Sequence, residues 1–176
     1  LDCDAHHGNG IQEIFYEDPT VLYMSIHQDP HTLYPGTGFI HEVGSGAGEG
    51  YTVNIPLPPG VDNENYLRAL REIFPPLMRE FKPDLLLFIV GADNYFNDPL
   101  TDYNLTMEFY PELTREVLKN ADEVCGGRIL IRLSGGYDVN ATAHAFYLVT
   151  ACAAGVENLD IKDTYPTPSK RDATSI

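Results

Sequence analysis

One unbroken apolar run, Asp84–Val90, most constrains how this chain can fold. Its sequence is DLLLFIV, and Gly91 closes it. So short a run cannot span a bilayer, and it is typical of a strand that is covered on both faces of a parallel sheet. The run therefore predicts a layered α/β protein.

Three further segments are predicted to be strands. Two are rich in β-branched and aromatic residues and are bounded by Pro, Gly or Asp, and the third is another apolar run, which ends at Ser134-Gly135-Gly136. In chain order they are Thr20–Ile26, Tyr51–Ile55 and Arg128–Leu133.

Helical patterns lie between these strands. Apolar residues in Asn63–Phe81 recur mostly at spacings of three and four, and Pro75-Pro76 is expected to kink or split that helix. Met107–Ala121 and Asn140–Ala154 are two more amphipathic candidates. Strands that alternate with helices predict a mostly parallel sheet flanked by helices.

Composition and net charge limit the classes of partner that this chain is expected to bind. The 176 residues include 11 Lys and Arg against 26 Asp and Glu, and the net charge is −15. This balance argues against nucleic acid or an anionic membrane as the main partner and suits cations better. The three cysteines form no CxxC pair or disulfide framework, and no secretory signal is visible, so we expect a reduced, soluble, cytoplasmic protein.

The chain is expected to form one domain over residues 1–156, followed by a polar, mobile tail over residues 157–176. Tyr34–Gly50, which is rich in glycine and has little periodicity, is predicted to be a surface loop.

Unusual polar residues stand at three places, two of which directly follow predicted strands. They are the stretch Asp2–Gly8, then Asp93, and then Gly135-Gly136-Tyr137. Because ligands bind outside the carboxyl ends of the strands in an open parallel sheet, the three places are candidates for one site.

Each place also has a simpler interpretation. Asp4 and His6 suit a divalent cation, but the stretch can be an acidic turn with an exposed histidine. Asp93 can be the third ligand of a catalytic metal or a helix N-cap. Gly135 and Gly136 allow close approach of the backbone, and Tyr137 can donate to an oxyanion, but a tight turn with a packed aromatic ring is the alternative.

Six ordered motifs carry a family resemblance. DCDAHHGNGIQ, SIHQ, YPGTG, GSGAGEGYTVNIPLPPG, GADNYFNDPL and LSGGYD resemble the histone deacetylase family, which includes acetylpolyamine amidohydrolases and acetoin-utilisation proteins. The sequences of these motifs resemble those of class II and prokaryotic members more than those of class I. The resemblance runs from Asp2 to about Gly155.

The resemblance implies an arginase-like α/β fold and hydrolysis of an acetylated amine, such as acetyl-lysine or an acetylpolyamine, by metal-activated water. It implies Zn²⁺, with Fe²⁺ as an alternative, held by Asp4, His6 and Asp93, with Tyr137 stabilising the tetrahedral intermediate and Gly135 and Gly136 beside the substrate channel. It also implies a structural K⁺ site and a second K⁺ site near Phe15, Asp18 and Val21. The first K⁺ site would use oxygens of Asp2, Asp4, His6, Ser25 and Ile26.

The resemblance is incomplete. The family places its His-His general base upstream of the metal motif, whereas the single His-His pair here is His6-His7. We therefore expect the chain to be the C-terminal part of a catalytic domain, nearly inactive alone, with its metal motif on a frayed end. His27 is expected to be a hydrogen-bonded structural histidine, and His31, His41 and His144 are expected to be surface or core residues.

Two alternatives compete with a zinc deacetylase. One is a non-catalytic relative that binds metal or a partner. The other is a binuclear arginase-like hydrolase, which Gly8 and Tyr95 disfavour because they stand where a second metal needs carboxylates.

Overall fold

A five-stranded, fully parallel sheet forms the centre of the molecule. The computed structural model describes residues 1–167. The strand order is β3-β2-β1-β4-β5, so the first strand lies in the middle. The strands are β1 (Asp2–Cys3), β2 (Tyr23–Gln28), β3 (Thr52–Leu57), β4 (Leu86–Gly91) and β5 (Ile129–Ser134). This arrangement confirms the predicted parallel α/β sheet.

Residues 1–167 contain four α-helices, of which three lie between strands along the chain and the fourth follows β5. They are α1 (Asn9–Phe15), α2 (Asn63–Phe81), α3 (Phe109–Cys125) and α4 (Val139–Ala153). The sequence patterns predict the last three within a few residues but do not predict α1. Pro75 and Pro76 lie inside α2 and do not split it, because the buried side chains of Phe74 and Met78 anchor this stretch of the helix to the core.

The main core lies between one face of the sheet and helices α2, α3 and α4. Leu86, Phe88 and Val90 of β4 point into it and are at most 5% exposed. Side chains alternate between the two faces along a strand, so Leu87 and Ile89 lie on the opposite face.

That opposite face is open over β4 and β5, contrary to the expectation that Asp84–Val90 is covered on both faces. Leu87 is 54% exposed, and its cross-strand partner Leu130 is 60% exposed. An apolar run shows that its side chains favour burial. Whether both faces of the strand are covered depends on which other elements pack against it. Beneath these leucines lies an apolar cavity of about 710 Å³ that also contacts Ile11 and Phe74.

The metal motif is held firmly, so the expected fraying is wrong. Asp2 pairs with Ser25 of β2 on one side and with Ile89 of β4 on the other. The amino group of Leu1 donates a hydrogen bond to the Leu87 carbonyl at 2.9 Å. Backbone hydrogen bonds to neighbouring strands on both sides hold even this two-residue strand in register.

Residues 157–167, which were expected to belong to a mobile tail, contact the domain. Leu159, Ile161 and Tyr165 pack against the core, and Asp163 Oδ1 accepts a hydrogen bond from the Met107 amide at 2.8 Å. Three apolar side chains within a polar sequence provide this contact. Residues 168–176 lie outside the described part of the chain.

The predicted irregular loop is confirmed. Tyr34–Gly50 contains only one short 3₁₀ helix, Gly46–Gly48, and is otherwise irregular. Cys3, Cys125 and Cys152 are free and buried. Across residues 1–167, no helix is both long enough and apolar enough to cross a bilayer.

Candidate metal centre

The carboxyl ends of three neighbouring strands, β1, β4 and β5, bring the predicted residues together. Asp4 follows β1, Asp93 lies in a one-turn 3₁₀ helix after β4, and Tyr137 follows β5. These strands are neighbours and parallel, so their ends meet at one edge of the sheet.

Asp4, His6 and Asp93 form the only such cluster of potential metal ligands within residues 1–167. One ligand atom from each lies within 4.8 Å of the others. His6 Nδ1 is 2.8 Å from Asp93 Oδ2 and 3.3 Å from Asp4 Oδ1. The cluster faces a cavity of about 540 Å³.

Asp93 does not act as a helix cap. The 3₁₀ helix begins without a side-chain cap, and the carboxylate of Asp93 instead accepts a hydrogen bond from the Ala5 amide at 3.2 Å. Asp93 is fully buried. Burying a charge without a counter-charge is costly, so its neighbourhood is arranged for a positive partner.

Glycine at position 135 is required by the cluster. A Cβ atom there would lie 2.7 Å from Asp4 Oδ2 and 2.7 Å from Asp93 Cγ, and its φ is +58°. Gly135 therefore packs directly against the two carboxylates, which is the close approach that the sequence predicts.

The pKa shifts indicate a protonated imidazole beside the two carboxylates. Hydrogen bonds to Asp4 and Asp93 raise the pKa of His6 to about 10, and burial raises the pKa of Asp93 to about 7. Burial also acts to raise the pKa of Asp4, but hydrogen bonds from His6 outweigh it and the pKa is lowered. A protonated imidazole thus supplies the positive charge, and a divalent cation can replace that proton.

The raised pKa of His6 predicts that the stability of the metal-free chain depends on pH. The pKa of His6 is above its ordinary 6.5, so its stabilising effect is complete below about pH 6.5 and is lost as the pH rises through about 10. Melting curves of chelator-treated protein should therefore show the wild-type advantage over His6→Gln shrinking from pH 6.5 to pH 10. A constant or growing advantage would contradict the assignment.

Tyr137 lies at the rim of the cluster. Its ring centroid is 6.0 Å from that of His6, and its side chain is half exposed. The Tyr137 amide donates a hydrogen bond to Asp98 Oδ2 at 2.8 Å, which anchors the residue through its backbone. Partial burial and nearby carboxylates raise the pKa of the phenol, so the hydroxyl remains a proton donor at neutral pH.

The cavity has walls that the sequence patterns do not identify. Leu33, Tyr34 and Leu100 line it, and Tyr34 is 77% exposed. Arg132 also lines it, from the open face of the sheet. Tyr34 begins an irregular loop and Leu100 lies in another, so neither belongs to a periodic pattern that would mark it. Ser134 and Tyr137 line the cavity, whereas Gly135 and Gly136, between them in the sequence, are not among its lining residues.

The two buried histidines, His7 and His27, occupy structural positions. His27 is fully buried and hydrogen-bonds Ser25 Oγ at 2.8 Å and the Gly38 carbonyl at 2.9 Å, as predicted. His7 is bonded to Thr37 and to Gln12, away from the carboxylates. Burial lowers the pKa of both imidazoles, and that of His27 falls to about 4.

The residues predicted for potassium also lie together. Asp2 is buried and pairs in register with Ser25, and Ile26 follows on the same strand. Burial raises the pKa of Asp2 to about 6. The second set is local as well, since Asp18 bonds the Phe15 carbonyl and the Val21 amide bonds the Asp18 carbonyl.

Fold and site together define an α/β protein with a candidate metal centre at the carboxyl edge of a parallel sheet. The model of the histone deacetylase domain matches residues 1–153. The chain therefore belongs to the histone deacetylase family.

Several curated proteins are similar to this chain in sequence. The chain is 47% identical over 164 residues to "Probable deacetylase" from Archaeoglobus fulgidus, covering 93% of the chain and 45% of that protein. It is 41% identical over 139 residues to acetoin utilization protein AcuC from Bacillus subtilis, covering 79% of the chain and 36% of that protein.

The fold is shared with solved structures. An acetylpolyamine aminohydrolase from Burkholderia pseudomallei superposes with a TM-score of 0.79 at 33% identity, covering 89% of the chain and 44% of that structure. The chain thus spans less than half the length of these relatives and forms part of a deacetylase domain.

Proposed function

We propose that this chain carries the metal-binding half of a zinc-dependent deacetylase that hydrolyses an acetylated amine. One observation carries the proposal: the ligand atoms of Asp4, His6 and Asp93 lie within 4.8 Å of one another, beside Tyr137, in a member of the deacetylase family. Acetyl-lysine and acetylpolyamines are both acceptable substrates under this proposal.

The donor set supports a catalytic metal. Two carboxylates and one imidazole are ligands that Zn²⁺ accepts, and Fe²⁺ accepts the same set. Asp4 and His6 line the cavity, and Asp93 is buried beside them. Three protein ligands next to a cavity can leave a fourth position open for water or substrate, which is the pattern of catalytic rather than structural zinc sites. When bound, the ion polarises the amide carbonyl and lowers the pKa of a water molecule.

The residues of this chain have separate proposed roles in binding the cation and stabilising the oxyanion. Asp4 and Asp93 hold negative charge where the cation binds, and Gly135 keeps the backbone close to them. The Tyr137 hydroxyl donates a hydrogen bond to the oxyanion that develops on the carbonyl oxygen when water attacks the carbonyl carbon. Asp98 fixes the Tyr137 backbone, so this donor is in place before the reaction.

The general base is proposed to come from another part of the domain. Within residues 1–167, the other buried imidazoles, His7 and His27, are occupied by hydrogen bonds and have lowered pKa values. The open face around Leu87 and Leu130 offers a surface on which further structure can pack, and the relatives are more than twice as long as the match.

This proposal predicts weak turnover by the isolated chain. General acid–base catalysis contributes about 10² to 10⁴ in rate, so the chain alone should deacetylate at least about a hundredfold more slowly than a form that includes the upstream histidine pair. Acetate release from an acetylated lysine peptide measures both rates. Equal rates would show that the chain supplies its own base.

Monovalent ions have a separate proposed role. Oxygen atoms of Asp2, Asp4, His6, Ser25 and Ile26 would bind one K⁺, and backbone oxygens near Phe15, Asp18 and Val21 would bind another. The pairing of Asp2 with Ser25 supports the first site.

A cytoplasmic location of the protein is also part of the proposal.

The alternative is a non-catalytic relative that binds metal or a partner. Zinc binding without turnover, even when the upstream histidine pair is present, would support this alternative. The binuclear hydrolase has less support, because Tyr95 is fully buried and its hydroxyl accepts a hydrogen bond from the Tyr165 amide.

A further inference from the structure

The segment over residues 157–167, here called the C-terminal strap, reaches from α4 back towards the candidate site. Leu159, Ile161 and Tyr165 attach it to the core, and Asp163 accepts from the Met107 amide. Tyr165 of the strap contacts Asp138, the residue after Tyr137, so this contact bears on the site.

Asp138 is where the strap and the site loop meet. The Tyr165 hydroxyl donates a hydrogen bond to Asp138 Oδ2 at 2.9 Å. The other oxygen of the same carboxylate caps α4 by accepting from the Ala141 amide at 2.9 Å. Asn97, in the loop after β4, also donates to Asp138 Oδ2, at 3.5 Å. One side chain therefore joins the strap, α4 and the loop that follows Asp93.

Tyr137 depends on its backbone for its position. Within residues 1–167, its hydroxyl has no hydrogen-bond partner, and its side chain is half exposed. The two residues before it are Gly135 and Gly136, both at positive φ, which restrict the backbone least of all residue types. Its position is fixed by Asp98, which holds its amide, and by Asp138, which follows it directly.

We infer that Tyr165 is a positioning residue for Tyr137: its hydroxyl orients the Asp138 carboxylate, and Asp138 fixes the end of the flexible Gly-Gly-Tyr loop. The inference rests on the proposed function only for the role of Tyr137 as oxyanion donor. The strap thereby couples a segment beyond the last helix to the geometry of the site.

Tyr165→Phe isolates this contact. The substitution removes one hydroxyl and leaves the ring and the bond from the Tyr165 amide to the Tyr95 hydroxyl. Tyr147→Phe is the matched control, because Tyr147 lies on α4, is 55% exposed and has no contact with Asp138.

The direct readout is ¹⁹F NMR of the chain with 3-fluorotyrosine at position 137. In Tyr165→Phe we expect the resonance to shift or broaden, and amide exchange at residues 136–138 to rise about tenfold, the usual effect of losing one hydrogen bond to a charged group. The melting temperature should change little, and Tyr147→Phe should leave resonance and exchange unchanged. A merely structural role would lower stability without moving the resonance.

Asp138→Asn provides a second variant that retains a side-chain oxygen for the α4 cap. It should produce the same ¹⁹F change, and adding Tyr165→Phe to it should produce little more. An unchanged resonance in Tyr165→Phe, or full additivity of the two variants, would overturn the inference. Zinc content is measured separately, so a chain without zinc would refute the proposed function while the NMR result still decides the role of Tyr165.

Discussion

Asp93→Asn should weaken zinc binding by about a hundredfold or more. Loss of a residue that only orients a ligand already costs about 10- to 100-fold in metal affinity, and Asp93 is proposed to be a ligand itself. Asparagine has nearly the volume of aspartate, so the fully buried site keeps its packing while losing one negative charge. Competition with a coloured zinc chelator measures the affinity directly.

The chain offers a matched control in Asp29 and His31. They repeat the Asp-x-His spacing of Asp4 and His6, and their side chains are 2.8 Å apart, but the pair is exposed and has no third ligand. Asp29→Asn should therefore leave zinc affinity unchanged. Equal losses in the two variants would mean that zinc binds to surface carboxylates and not to the proposed centre.

Tyr137→Phe should reduce kcat by about a hundredfold or more, the usual cost of removing an oxyanion donor. Zinc affinity should remain at the wild-type value, because the Tyr137 hydroxyl makes no contact with the described metal ligands and its backbone anchor to Asp98 is retained. The measurement is acetate release from an acetylated amine by a form that includes the upstream general base.

Tyr147→Phe again serves as the control and should retain full activity. If Tyr137→Phe kept its kcat and raised only KM, Tyr137 would bind substrate without stabilising the transition state, and the proposed role would be wrong.

The ligands were predictable because their signals are local. Asp4 and His6 are two residues apart, and Asp93 follows an apolar strand directly, so strand geometry and sheet topology place them at one edge. Gly135 was predictable for a similar reason, since a glycine at the end of a strand indicates close approach of the backbone. The general order of strands and helices followed from hydrophobic periodicity in the same way.

Contacts across long sequence separations could not be read from the sequence. The hydrogen bond from Tyr165 to Asp138 joins a polar tail to a loop, and neither has a periodic pattern. Leu33, Tyr34 and Leu100 reach the cavity from irregular loops, whose paths depend on tertiary packing. The apolar runs show that Leu87 and Leu130 prefer burial, but the burial itself depends on elements that pack on that face.

Elemental analysis of the purified wild-type chain tests the central claim most directly. The account predicts one zinc ion per chain, bound by Asp4, His6 and Asp93. A chain that binds no divalent metal, or that binds two ions in a shared site, would contradict it.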